Sequence, residues 1–311
     1  MTAPRDHGGN LDAAIARFGG TRAGWIDLST GINPVPYPLP RLPAEAWTAL
    51  PDRAAFDRLE GVARRFWSVP DGAAVLAVPG ASAAIAQIPH LVSRGTVSIP
   101  TPTYNEHAAA FLAAGWTLSD AAPTAQVVVH PNNPDGRLWA LPDLSAPLRV
   151  IDESFCEVTP DSTLIAEADK LNTIVLKSIG KFWGLAGLRL GFAIGDPALI
   201  GRLKQALGPW QVSGPALRIG AEALTDFAWA DETRTRLQED AARLDALMIG
   251  REARLVGGTD LFRLYDVADA EAAQNHLARH HIWSRIFPYA PTWLRLGLPG
   301  PDGWDRLASA L

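Results

Sequence analysis

The chain has 311 residues, of which 48% are hydrophobic and 20% are charged, and its formal net charge at pH 7 is −5. This balance is ordinary for a globular protein and excludes the strongly basic character on which nucleic-acid binding depends. The single cysteine excludes an intramolecular disulfide, and the sequence contains neither a signal-peptide core nor an apolar run of about 18 residues. We therefore expect a cytoplasmic protein that binds neither nucleic acid nor membranes.

The first 40 residues are rich in glycine, proline and asparagine, and they lead into the proline-rich run NPVPYPLPRLP at 33–43. Proline fixes φ and removes a backbone hydrogen-bond donor, so repeated prolines disfavour a helix. The sequence therefore predicts an extended N-terminal arm over residues 1–40.

Between residues 41 and 212, short apolar runs alternate with helical patterns, beginning with an amphipathic helix at 55–66. Such alternation indicates an α/β domain around a mostly parallel sheet, in which ligands bind at the carboxyl ends of the strands. The predicted strands are 73–78, 95–99, 125–130, 148–152, 172–177 and 190–194.

The pattern changes after residue 212, where a long helical region runs from about 216 to 255. It is followed by a strand at 261–267, a helix at 270–280 and short strands in HIWSRIF and WLRLGLP. This order predicts a smaller α+β domain over residues 213–311.

Three turns that follow predicted strands carry groups suited to ligand binding. Gly80, Ala81 and Ser82 lie where a strand passes into a helix, and amides there attract phosphate, although the simpler interpretation is that Ser82 caps the helix. Asn133 belongs either to a plain turn or to a site at the strand end. Asp152 ends the next strand, where a carboxylate either caps the following loop or pairs with a ligand cation.

The segment SIGKFWGLAGLRLGF places Lys181 and Arg189 among apolar residues, where unpaired cations are costly. A P-loop is excluded, because Val175 and Phe182 stand where glycine and Ser or Thr are required. A desolvated lysine is suited to forming a Schiff base, which makes Lys181 the candidate nucleophile. Lys177, at the strand end, is interpreted as an edge cation.

No metal site is predicted. His276 and His280 are four residues apart, but Leu277 breaks the HExxH pattern, so they are expected on a solvated helix face. Cys156 is interpreted as a core residue.

Three motifs occur in order: N-P-x-G at 133–136, D-E-x-F at 152–155 and S-x-x-K-x-x-G-L-x-G-L-R-x-G at 178–191. They resemble those of the fold-type I pyridoxal-phosphate enzymes of the aminotransferase class. HGGN at 7–10 and WIDLSTGINPVPYP at 25–38 resemble the threonine-phosphate decarboxylase branch of cobalamin biosynthesis, which is close to histidinol-phosphate aminotransferase. The resemblance covers the whole chain. It implies a mostly parallel sheet flanked by helices, a small α+β domain on which the arm packs, and a homodimer.

The resemblance implies that the cofactor is pyridoxal 5'-phosphate. Lys181 would hold it covalently and later move a proton, and Asp152 would keep its ring nitrogen protonated. Tyr104 would stack on the ring, and Asn133 would donate to the phenolic oxygen. Around the cofactor phosphate, the resemblance places Gly80, Ala81, Ser82, Ser178 and Arg189. Lys181 would then be buried as a neutral imine and not as an unpaired cation. The charge of Arg189 would be paired with the cofactor phosphate.

The resemblance also implies a small phosphorylated amino acid as substrate. Arg295 would bind its carboxylate and Arg285 its phosphate, which His7 would also reach. The backbone around Ile32 and Asn33 would close over the carboxylate. Without the resemblance, these arginines are interpreted as residues of strand edges, and His7 as part of a flexible arm.

Two positions depart from the pattern of the related aminotransferases. Phe155 stands where these carry a tyrosine, and the decarboxylase branch also has phenylalanine there, so this departure supports that branch. Leu50 stands where a tyrosine normally reaches the partner subunit's cofactor phosphate, which puts that contact in doubt.

Three functions are compatible with these residues. The first is decarboxylation of L-threonine O-3-phosphate to (R)-1-aminopropan-2-ol O-phosphate. The second is a histidinol-phosphate type of aminotransferase, because the two reactions differ in which bond is held perpendicular to the cofactor ring. The third is a non-catalytic descendant that binds the cofactor or a partner protein.

Overall fold

The computed structural model describes residues 7–311, so the first six residues of the predicted arm lie outside the described residues. The chain divides into two compact units. The larger unit contains residues 36–133 and 138–231, and the smaller unit contains the described residues up to Val35 together with 134–137 and 232–311. The predicted domain boundary at 212 and 213 stays a prediction, and the larger unit continues to Asp231.

The described residues contain thirteen strands and ten α-helices. The strands are β1 (Ile26–Asp27), β2 (Ala74–Val78), β3 (Thr96–Ser98), β4 (Thr117–Leu118), β5 (Ala125–Val129), β6 (Leu148–Asp152), β7 (Thr173–Ser178), β8 (Gly191–Gly195), β9 (Arg254–Thr259), β10 (Phe262–Asp266), β11 (Ile282–Trp283), β12 (Arg285–Phe287) and β13 (Ala290–Gly297). The helices are α1 (Leu11–Phe18), α2 (Glu45–Thr48), α3 (Arg53–Phe66), α4 (Ala81–Gln87), α5 (Asn105–Ala113), α6 (Pro197–Leu207), α7 (Gly214–Ala223), α8 (Phe227–Ile249), α9 (Ala270–Arg279) and α10 (Trp304–Ala310). Each of these helices is either too short or too polar to traverse a bilayer.

The larger unit is built on a seven-stranded sheet with the order β2-β8-β7-β6-β5-β3-β4. Strand β8 is antiparallel to both of its neighbours, and the other pairs are parallel. All six predicted strands of this unit are present, and the prediction of an α/β fold with a mostly parallel sheet flanked by helices is confirmed.

The central strands are mostly buried and largely apolar because both faces of the sheet are covered. All five residues of β5 are buried, and Val127, Val150 and Ile174 pack in one core cluster with side chains of α4, α5 and α6. Removing each such side chain from water contributes roughly 1.5–3 kcal/mol. This core holds the carboxyl ends of β5, β6 and β7 side by side.

The smaller unit contains a four-stranded antiparallel sheet with the order β12-β13-β10-β9, and β1 pairs in parallel with β11. The predicted strand at 261–267 and helix at 270–280 are confirmed as β10 and α9. The helical region expected from about 216 to 255 consists of two helices, α7 and α8, and it ends at Ile249, earlier than expected. Asp226 accepts a hydrogen bond from the Trp229 amide (3.0 Å) and starts α8 anew, and the chain becomes strand β9 at Arg254.

The prediction of a wholly extended arm is also wrong, because α1 forms inside it. Leu11, Ala14, Ile15 and Phe18 recur at helical spacing, and they pack with Trp25 and Ala278 of the smaller unit. Apart from Pro4, the prolines of the predicted arm lie at 34 and beyond, after this helix. Averaging composition over 40 residues therefore concealed an eight-residue amphipathic helix.

Candidate active site

The larger unit contains a cavity of about 220 Å³ at the carboxyl ends of β5, β6 and β7. It brings together eight residues that the sequence predicts for the cofactor site: Ala81, Ser82, Tyr104, Asn133, Asp152, Ser178, Lys181 and Arg189. Phe155 also lines it. With Ser154, which also lines it, the cavity holds an amine, a guanidinium, a carboxylate, an amide and four hydroxyl groups.

Asp152 ends β6 and is buried. Its Oδ1 accepts hydrogen bonds from the Ser154 amide (3.0 Å) and hydroxyl (2.5 Å), and its Oδ2 lies 2.9 Å from His107 Nε2. Burial raises the pKa of this carboxyl, but the His107 hydrogen bond and charge, followed by the Ser154 donors, outweigh it, so the pKa lies below its ordinary value. Asp152 is therefore an anion that faces the cavity.

His107 is a site residue that sequence reasoning missed, because it lies in the run EHAAAF, whose composition is that of an ordinary helix. It is buried on α5, three residues after Tyr104, and the two rings meet edge to face with centroids 6.1 Å apart. Tyr104 directly precedes α5 and His107 lies in the first turn of that helix, so the short spacing between the two rings was the signal available in the sequence.

Tyr104 precedes α5 and lines the cavity. Burial and then the charges of Asp152 and Glu106 raise its pKa to about 12, although Arg189 and a hydrogen bond with Ser82 oppose the change. Tyr104 therefore keeps its proton at neutral pH and is a neutral ring and hydroxyl donor.

Lys181 follows β7 and is half-buried. Its Nζ lies 5.2 Å from the centroid of the Phe155 ring, a cation–π distance. The preceding turn is held by the Gly180 amide, which donates to Ser178 Oγ (3.2 Å). Lys181 and Asp152 line the same cavity, as the sequence predicts.

The expectation that Arg189 is buried among apolar groups is wrong. It is exposed in the chain, with a left-handed φ of 54°, and its Nη1 donates to the Ala186 carbonyl (3.1 Å). A Cβ on Gly80, whose φ is 80°, would lie only 2.6 Å from Arg189 Nη2. Glycine at 80 therefore allows the guanidinium to approach the start of α4.

The interpretation of Lys177 as an edge cation is also wrong, because its side chain is only 2% exposed. Its Nζ lies 2.6 Å from Glu153 Oε2 and 3.4 Å from Glu157 Oε1. Successive strand residues point to opposite faces, so Lys177 and Ser178 diverge. Cys156 is buried, and burial raises the pKa of its thiol to about 12, which confirms it as a core residue.

The smaller unit contains the predicted substrate residues. Arg285 and Arg295 pair across β12 and β13. Arg285 donates to the His7 carbonyl (2.7 Å), and the buried Arg295 donates to the Ser29 carbonyl (2.6 Å). Burial and then the charge of Arg285 lower the pKa of Arg295. Two neighbouring cations thus lie beside the N-terminal segment.

The N-terminal segment approaches these arginines closely. A Cβ on Gly8 would lie 2.3 Å from the Ser29 carbonyl oxygen, and the Gly9 amide donates to Ser29 Oγ (2.7 Å). This packing explains the glycines of HGGN. Asn33 is buried and its Oδ1 accepts from Arg236 Nη2 (2.7 Å), while Ile32 is half-buried.

The family of the chain follows from sequence comparison. The family of aminotransferases of class I and II matches residues 58–311, and the chain belongs to this family. A threonine-phosphate decarboxylase from a Sinorhizobium species is 40% identical, with 100% of this chain and 98% of the relative covered. The threonine-phosphate decarboxylase of Pseudomonas aeruginosa is 38% identical, with 98% and 97% covered.

Comparison with solved structures supports the same fold. Histidinol-phosphate aminotransferase from Sinorhizobium meliloti, solved in complex with pyridoxal-5'-phosphate, superposes with a TM-score of 0.82. Its sequence is 18% identical, and the match covers 96% of this chain and 92% of that chain. The expectation of the aminotransferase fold is therefore confirmed.

Proposed function

We propose that this chain is a pyridoxal-phosphate-dependent decarboxylase that converts L-threonine O-3-phosphate into (R)-1-aminopropan-2-ol O-phosphate, a step of cobalamin biosynthesis. The observation that carries this proposal is the 40% identity, over the full length of the chain, to a threonine-phosphate decarboxylase. The convergence of Lys181, Asp152 and Asn133 on one cavity supports it independently.

The donor set of the cavity fits the chemical groups of pyridoxal phosphate. Lys181 supplies an amine for the aldehyde, and the anionic Asp152 suits a protonated ring nitrogen. Tyr104 offers a neutral ring to stack on the cofactor, and Asn133 an amide for the phenolic oxygen. Gly80, Ala81, Ser82, Ser178 and Arg189 are assigned to the cofactor phosphate, to which the two hydroxyls and the guanidinium would form charge-assisted hydrogen bonds. When bound, the cofactor supplies an electron sink for the charge left at Cα by the loss of CO₂.

The roles of the protein groups follow from their chemistry. Asp152, held ionised by His107 and Ser154, would stabilise a positive charge at the ring nitrogen of the bound cofactor. Lys181 Nζ holds the proton that returns to the substrate Cα. Phe155 contributes an apolar face and no hydroxyl, so Asn133 is the donor assigned to the phenolic oxygen.

For the substrate, we assign Arg295 to the carboxylate, and Arg285 and His7 to the phosphate. The proximity of the two guanidinium groups suits a ligand with two anionic groups, because each anion relieves the repulsion between them. The backbone around Ile32 and Asn33 is assigned to the carboxylate. The side chain of Asn33 is already engaged by Arg236.

The test is to supply the enzyme, loaded with pyridoxal phosphate, with threonine phosphate. We expect CO₂ and the phosphorylated amino alcohol in equal amounts, measured by gas release and mass spectrometry. The structural likeness to histidinol-phosphate aminotransferase makes amino transfer the second candidate. Glutamate formation from histidinol phosphate and 2-oxoglutarate, without CO₂ release from threonine phosphate, would establish that candidate instead.

We also propose that the chain forms a homodimer. Trp47 and Leu50 are 70% and 68% exposed, and together with Leu39 and Trp210 they line an apolar groove on the larger unit. A groove of this composition suits burial against a second copy, whose stable interface needs about 800 Å² from each subunit. The cytoplasmic location expected from the sequence stays a prediction.

Replacing Trp47 with lysine is expected to shift the protein from dimer to monomer, because a charge in the middle of an apolar interface loses its hydration. Sedimentation velocity measures the shift. Leu171→Lys is the matched control, since Leu171 is 82% exposed and does not line the groove. A Trp47→Lys protein that sediments as the parent dimer would contradict the assigned surface, and a monomeric parent would contradict the dimer itself.

A further inference from the structure

A buried cluster of charges lies in the larger unit behind the carboxyl ends of β6 and β7. Lys177 Nζ lies between Glu153 Oε2 (2.6 Å) and Glu157 Oε1 (3.4 Å), and all three side chains are at most 2% exposed. Glu153 also accepts hydrogen bonds from Thr163 Oγ1 (2.6 Å) and the Leu164 amide (2.5 Å). The reaction proposed above uses none of these groups.

Lys177 forms ion pairs with both ends of one short segment, residues 153–157. Glu153 and Glu157 are the first and last residues of this segment, and the Cys156 amide closes a turn within it by donating to the Glu153 carbonyl (3.1 Å). Ser154 and Phe155, between the two glutamates, line the candidate cavity. The ammonium group therefore lies behind the loop whose front surface forms a wall of the site.

The same segment also positions the carboxylate of Asp152, the residue that precedes it. Ser154 donates two hydrogen bonds to Asp152 Oδ1, and Phe155 provides the ring beside Lys181 Nζ. Asp152 and Glu153 are adjacent residues with carboxylates in different environments, one toward the cavity and one toward Lys177. A displacement of the segment would therefore change the contacts of both Asp152 and Lys181.

A metal ion is a poor explanation of this cluster. His130, Glu153 and Cys156 have ligand atoms within 4.8 Å of one another. However, His130 Nδ1 accepts from the Trp139 amide and Nε2 donates to the Ser162 carbonyl, so neither nitrogen has a lone pair to offer. The Lys177 ammonium already neutralises Glu153.

We propose that Lys177 is a positioning residue of this enzyme: its ion pairs with Glu153 and Glu157 fix the 153–157 segment, and thereby the Ser154 donors on Asp152. A buried ion pair is weak evidence for stability, because packed apolar residues often stabilise as well or better. The location of these ion pairs directly behind the site is explained if they fix the geometry of the 153–157 segment. The inference rests on the proposed role of Asp152 toward the cofactor.

The test is the variant Lys177→Met, which keeps the length of the side chain and removes its charge. We expect the dissociation constant of pyridoxal phosphate, titrated into apoprotein, to rise roughly tenfold, as for the loss of a hydrogen bond to a charged group. The absorbance spectrum of the bound cofactor should change as well. Lys177→Arg restores the cation and is expected to recover both values.

The control is Arg149→Met, which removes another ion pair of β6, with Glu167 (3.2 Å), away from the cavity. It should lower the melting temperature and leave cofactor affinity and spectrum unchanged. Equal weakening by Arg149→Met and Lys177→Met, or parental affinity and spectrum in Lys177→Met, would overturn the inference. If Lys177→Met does not fold, the variant Glu157→Gln is used to test the inference. A changed cofactor spectrum in Glu157→Gln supports the positioning role, and a spectrum like that of the parent protein overturns it. If Asp152→Asn has the cofactor affinity and spectrum of the parent protein, the role of Asp152 itself is refuted instead.

Discussion

Replacing Lys181 with alanine is expected to lower the rate of CO₂ release from threonine phosphate by at least about a thousandfold, because one group supplies both covalent attachment and proton transfer. The half-buried Nζ lies in the cavity with Asp152 and beside the Phe155 ring, and alanine leaves that position without an amine. Reaction rates are measured on protein saturated with pyridoxal phosphate, so that weaker binding does not mimic slower chemistry.

Covalent attachment gives a second measurement. Borohydride treatment of the loaded parent should add one cofactor to the peptide that contains Lys181, and the alanine variant should gain none. Lys170→Ala is the control, since Lys170 is half exposed and paired with Asp169 (3.1 Å) at the surface. A labelled peptide that contains Lys177 but not Lys181, or full activity in Lys181→Ala, would contradict the assignment of the nucleophile.

The sheet of the larger unit could be predicted because its physical signal is local. Runs such as AQVVV and TIVLK are mostly apolar without alternating, as is typical of strands covered on both faces, and turns rich in glycine or asparagine follow several of the strands. The residues at the strand ends could be placed for the same reason. Once the strands are parallel and adjacent, Asp152 and Ser178 necessarily lie at one edge of the sheet.

The features that sequence reasoning missed depend on packing between distant segments. Lys177 is buried because it pairs with Glu153 and Glu157. Nothing in the run TIVLK distinguishes such a buried lysine from an exposed lysine at the end of a strand. His107 became a site residue only when α5 placed it 2.9 Å from Asp152, which is 45 residues away in the sequence. The helix α1 was missed for a different reason, because the prolines that follow it dominated the composition of the arm.

Replacing Asp152 with asparagine is expected to lower the decarboxylation rate by roughly 10²- to 10³-fold, the range seen when one preorganised electrostatic partner of a reacting group is removed. The amide has nearly the same shape, and it can still accept from Ser154, but it carries no charge to stabilise a protonated ring nitrogen. Asp161→Asn, at an exposed aspartate, is the control and should leave the rate unchanged. Parental rates in Asp152→Asn would show that this carboxylate does not serve the ring nitrogen.

The acid dependence of stability provides an independent check on the same residue. The pKa of Asp152 is lowered in the folded protein, so the carboxylate contributes stability that is complete above its ordinary pKa of 3.8 and is lost as the pH falls through the lowered native value. The parent should therefore lose free energy of unfolding below about pH 4 more steeply than Asp152→Asn, which has no proton to bind there. Urea denaturation at a series of pH values measures the difference. Equal slopes would mean that His107 and Ser154 do not hold the anion, and the site would then lack the fixed negative charge that distinguishes it from an ordinary polar cleft.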